Sequence, residues 1–137
     1  MNVVDRLKGF FAHRSEARFA YLFGSTARHG HGKLGDIDVA VFVEKGASDT
    51  CEYKPMLLAE LMKALKTNKV DLVLLNEAGP LLCSRVLRDG IIVDSKDDMA
   101  RVEFYVSTIR RYDDAKHLMQ IQHYYMLRRI EAGRFGR

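Results

Sequence analysis

Cysteine is nearly absent from the chain. The 137 residues hold only Cys51 and Cys83. Their spacing fits no metal-binding pattern, and two thiols make no disulfide framework, so a stapled secreted scaffold is excluded. Both thiols are expected to be inert, and a reducing, cytoplasmic setting is expected. No apolar run approaches the ~18 residues that would suggest a membrane span. Residues 1–19, "MNVVDRLKGFFAHRSEARF", mix charge with apolar side chains and lack a signal-peptide pattern. No repeat, low-complexity tract or linker divides the sequence, which predicts one domain over residues 1–137. What is present is ordinary for a globular chain: 47% hydrophobic and 29% charged residues, enough for a real core.

Charge is unevenly placed. The formal net charge is +4, and all of it belongs to residues 101–137, which hold eight Lys and Arg against four Asp and Glu. A basic segment of this kind suits an acidic partner or RNA, or is simply a solvated helix face.

Hydrophobic spacing predicts the elements. Val3, Val4, Leu7, Phe10 and Phe11 recur at helical intervals, giving a helix over residues 2–15. "RFAYLFG" (18–24) and "DIDVAVFV" (36–43) read as strands. Residues 44–52 have loop composition, and residues 53–68 read as a helix. "VDLVLL" (70–75) is a third strand. Residues 79–90 read as a short helix, with Pro80 near its start and Gly90 past its end. "IIVDS" (91–95) is a fourth strand, and residues 98–132, free of Pro and Gly, form one long helix or two shorter ones. The expected fold class is α/β (α+β): a small sheet with a core over about residues 15–95 and a helical C-terminal tail over about residues 98–132.

Chemistry concentrates in "GSTARHGHGKLGDID", residues 24–38. Residues i and i+2 of a strand share a face, so Asp36 and Asp38 project together, about 7 Å apart at Cα. Ile37 and Val39 go to the other side. Two carboxylates on one pleat suit a hard divalent cation such as Mg²⁺. Asp71 stands in the third strand where a core pattern needs no charge, and it completes a three-carboxylate cluster if that strand lies beside the second. Upstream, Gly24 ends a strand and Ser25 is suited to cap a short helix, an arrangement that offers backbone N–H groups to a phosphate. Arg28 is placed to reach a triphosphate or to sit exposed at the helix start. His29 and His31 read as a polar loop rather than a second metal site. "RYDDAKH" (111–117) puts its Arg and His on different helix faces, so it is not read as a ribonuclease motif. Tyr105, Tyr112, Tyr124 and Tyr125 read as packing residues.

Gly24-Ser25, ten intervening residues and Asp36-Ile37-Asp38 resemble the GS-x10-D-x-D signature of the DNA polymerase β-like nucleotidyltransferase superfamily. In a chain this short, the pattern is most similar to the minimal nucleotidyltransferases, antitoxins paired with HEPN-domain ribonuclease toxins. Arg28 fits the Ala-Arg that follows the Gly-Ser, and Gly35 stands where relatives often have Ser. The resemblance implies a small mixed sheet flanked by helices. It implies Asp36, Asp38 and Asp71 as catalytic residues and metal ligands for Mg²⁺, with two ions. It implies nucleotide binding by Gly24, Ser25 and Arg28, and ATP as substrate. It further implies transfer of AMP to a tyrosine of a HEPN toxin, which neutralises the toxin. The segment over about residues 101–132 is the expected docking element, with no direct nucleic-acid contact. A small-molecule nucleotidyltransferase of the aminoglycoside-modifying kind would need a second domain to form a drug pocket. A catalytically idle antitoxin would have no use for the three aspartates.

Overall fold

A computed structural model describes residues 2–24 and 36–133 of the chain. Helix α1 (Val3–Ala12) starts where the Asn2 side chain accepts from the Asp5 N–H at 2.9 Å, satisfying a helix-end donor. Leu7 and Phe11, one turn apart, are its buried stripe. It stops short of the predicted residue 15 because the chain turns through Arg14, whose carbonyl accepts from the Ala17 N–H.

Strands β1 (Ala17–Phe23) and β2 (Ile37–Val43) pair antiparallel. Helix α2 (Tyr53–Leu65) buries Tyr53, Leu57, Leu61 and Leu65, a strict four-residue stripe. It ends three residues before the predicted boundary. Lys66 adopts a left-handed conformation (φ 57°), and the Thr67 N–H folds back onto the Met62 carbonyl at 3.2 Å, as helix-terminating turns do. Strand β3 (Val70–Leu74) then runs parallel to β2, so β2, α2 and β3 form a βαβ unit. The Asn76 side chain accepts from the Val43 N–H and donates to the Val43 carbonyl, both at 2.9 Å, tying the loop after β3 to the end of β2.

Helix α3 (Pro80–Asp89) has proline in its first turn and buries Cys83 and Val86. Strand β4 (Ile91–Ser95) pairs antiparallel with β1. The sheet order is β3-β2-β1-β4, a mixed sheet as expected. One face carries Ala20, Leu22, Val39, Val41 and Leu72 under α1 and α2. The other carries Phe19, Tyr21, Ala40 and Val73 under α3 and the start of α4.

Helix α4 (Asp98–Glu131) is one continuous helix of 34 residues, capped by the Asp97 carboxylate on the Ala100 N–H. A helix of that length extends about 51 Å. Phe104 anchors its first turns, with its ring 5.7 Å from Phe19 and 5.3 Å from Phe42, which stack on each other at 4.9 Å. Thr108 is its one buried residue. From Lys116 to Gly133 every residue is exposed. No helix among the described residues is long and apolar enough to cross a membrane.

Candidate active site

The parallel pairing of β2 with β3 sets Asp38 directly beside Asp71, one step after Ile37 beside Val70. Both carboxylates leave the sheet on the α3 side, because the alternate positions Val39 and Leu72 fill the opposite face. β1 ends where β2 begins, with Phe23 opposite Asp38. Gly24 therefore follows at the same end of the sheet. Its φ is 78°, a region glycine enters at little cost. A Cβ built there would collide with the Asp38 carboxylate. The backbone at Gly24 thus lies against the acidic side chain at a distance only glycine permits.

These groups line a cleft of about 260 Å³ with Phe23, Val73, Leu82, Arg85 and Asp89. Leu82, Arg85 and Asp89 recur at helical spacing on α3 and form its far wall. Asp38 is half-buried and Asp71 exposed. Partial burial pushes the Asp38 carboxyl above its ordinary value, the Asp71 and Asp36 carboxylates push it further, and the Arg85 guanidinium pulls the other way. Burial is the larger cause and the crowded carboxylates add to it.

The structure brings Asp38, Asp71 and Gly24 together. Asp36 lies exposed just before β2 and bears on Asp38 through its charge. Among the described residues, no three His, Cys, Asp or Glu side chains converge as a metal-holding group. The pair nevertheless fits Mg²⁺ in kind: hard oxygen donors, crowded enough to repel. Ser25, Arg28, His29 and His31 lie outside the described residues. Cys83 is buried and Cys51 exposed, both as free thiols, and burial pushes the Cys83 thiol up, away from the reactive thiolate.

Arg85 and Asp89 had no motif to announce them. The helical spacing of Leu82, Arg85 and Asp89 was present in the sequence. Which face of α3 meets the cleft is decided by the burial of Cys83 and Val86 beneath it.

The family model described as polymerase beta, nucleotidyltransferase matches residues 5–99. Among solved structures, a toxin–antitoxin complex with AMP-PNP is similar at 25% identity and a TM-score of 0.73, over 91% of this chain and 98% of that one. A variant MntA-HpeT toxin–antitoxin complex is similar at 26% identity and a TM-score of 0.71, over 93% and 98%. The tri-AMPylated Shewanella oneidensis HEPN toxin in complex with MNT antitoxin shares the fold, at 24% identity and a TM-score of 0.69, over 91% and 99%. No curated protein matches the sequence.

Proposed function

The chain belongs to the polymerase beta nucleotidyltransferase family, and from that premise we propose that it is an antitoxin that transfers AMP from ATP to a tyrosine of a HEPN-domain ribonuclease toxin. The observation that carries this reading is the in-register pair of Asp38 and Asp71 beside the left-handed Gly24. The similar complexes support it: one holds AMP-PNP, and one holds a tri-AMPylated HEPN toxin with its MNT antitoxin.

The chain's own groups divide the work. Gly24 lets the triphosphate approach the backbone closely, and Ser25 and Arg28 follow it in the chain as further phosphate contacts. Asp36, Asp38 and Asp71 would hold Mg²⁺. Bound there, Mg²⁺ would polarise the phosphoryl oxygens and offset the charge that develops on them. The tyrosine oxygen of the acceptor attacks the α-phosphorus as the bond from that phosphorus to the bridging oxygen breaks. The electron pair leaves with pyrophosphate. Asp71, the more exposed carboxylate of the pair, would serve either as the third ligand or as the base that takes the phenolic proton.

Docking is a separate task, and α4 is suited to it. Leu118, Met119, Tyr124, Leu127 and Ile130 are all exposed, on a segment that carries the chain's entire excess positive charge. Exposed apolar surface of this extent marks an interaction site. A HEPN toxin is its proposed occupant, a reading supported by the similar complex of a HEPN toxin with an MNT antitoxin.

The test is incubation of the purified pair with Mg²⁺ and ATP, followed by mass spectrometry of the toxin and a ribonuclease assay. The expected result is AMP on a toxin tyrosine and loss of ribonuclease activity. An unmodified toxin that is silenced by binding alone would make this chain an idle antitoxin.

A further inference from the structure

Arg85 stands out because it opposes its surroundings. The described residues lining the cleft include three carboxylates, from Asp38, Asp71 and Asp89, and one basic side chain, that of Arg85. Asp89 is ion-paired with Arg88 at 3.2 Å, which leaves Asp38 and Asp71 against Arg85, still a net negative lining, while the proposed substrate brings several more negative charges on its phosphates. A polyphosphate enters such a cleft only if cations meet it. The Arg85 charge already acts on Asp38 across the cleft. It projects from α3, whose backbone is fixed by buried Cys83 and Val86, so the guanidinium has a rigid base and a solvent-facing head.

We propose that Arg85 is a substrate-contacting residue that grips the β- and γ-phosphates of the nucleotide and holds the pyrophosphate as it departs. This deepens the nucleotidyltransferase reading and rests on it. A guanidinium presents a planar fork of donors that matches two phosphate oxygens at once, which an ammonium cannot do. When the bond from the α-phosphorus to the bridging oxygen breaks, its electron pair collects on the pyrophosphate, and Arg85 stabilises that charge. Charge stabilisation that grows towards the transition state raises the rate as well as the affinity. Arg85 therefore discriminates a triphosphate from a monophosphate, while the pair of aspartates and Gly24 serve both.

The experiment is calorimetric titration of wild type, Arg85→Ala and Arg85→Lys with ATP and with AMP, each with Mg²⁺, alongside toxin-labelling kinetics. Arg85 is exposed and alanine favours helix, so both variants should melt with wild type. The expected result is at least a tenfold loss of ATP affinity in Arg85→Ala, with AMP affinity changed less than twofold. Arg85→Lys should fall between, and kcat should drop in both. An unchanged ratio of ATP to AMP affinity in Arg85→Ala would overturn the proposal, as would an equal loss for both ligands, which marks a structural role. If wild type binds neither nucleotide, the nucleotidyltransferase reading itself fails, and this proposal falls with it.

Discussion

Replacing Asp38 with Asn should make the protein more stable while removing its chemistry. Asp38 and Asp71 occupy neighbouring positions on adjacent parallel strands, and such strands lie about 4.8 Å apart. Two unit charges at about 5 Å repel by about 0.8 kcal/mol in water and about 3 kcal/mol at an effective dielectric of 20. Asp71 is exposed and Asp38 only half-buried, so solvent screening favours the low end, about 1 kcal/mol. For a chain of this size that is a rise in Tm of roughly 3 °C. The sign follows from the raised Asp38 carboxyl, whose ordinary value is 3.8. A carboxyl that ionises later in the folded state than in the unfolded state destabilises the fold once it is charged. The advantage of Asp38→Asn should be full at pH 7 and disappear as the pH falls to about 4. Thermal melts in EDTA over that range measure it. Adding Mg²⁺ should raise the Tm of wild type more than that of the variant. A variant that melts at or below wild type at pH 7 in EDTA would refute the crowding argument.

Gly24→Ala should cost about 1–2 kcal/mol of stability through its left-handed backbone, and it should abolish ATP binding because the new Cβ displaces the Asp38 carboxylate; melting and calorimetry on the same sample check both. Replacing Met119, Leu127 and Ile130, which are 53%, 45% and 48% exposed, with Glu should end toxin capture in a pull-down and leave Tm and ATP affinity unchanged. Phe104→Ala should lose about 2 kcal/mol by leaving a gap beside Phe19 and Phe42, and it should speed proteolysis of α4.

Much of this architecture was legible because the relevant rules are local. Strand alternation has a fixed period, so the opposite faces of Asp38 and Val39 follow directly from the sequence, whereas Asp36 lies just before β2; the lack of Pro and Gly over residues 98–132 likewise points to a helical tail. That tail proves to be one helix, which spacing alone left open. The partnership of Asp38 with Asp71 depends on β3 lying beside β2 in one register, a long-range choice that the sequence makes possible without naming. Hydrophobic spacing carries the helices past their ends at Ala12 and Leu65 because the turns at Arg14 and Lys66 involve residues with no strong turn preference. Arg85 stayed hidden for a related reason: helical spacing fixes its neighbours, whereas the rotation of α3 against the sheet is fixed by packing.

The central claim is that the reaction breaks the bond between the α-phosphorus and the β-bridging oxygen and leaves AMP on the partner. Parallel reactions with α-labelled and γ-labelled ATP, Mg²⁺ and the cognate HEPN toxin test it directly. Label is expected on the toxin from the α-position alone, with pyrophosphate released in equal amount and no labelling when Asp36 and Asp38 are both replaced by Ala. Label arriving from the γ-position, or undiminished labelling by that double variant, would contradict it.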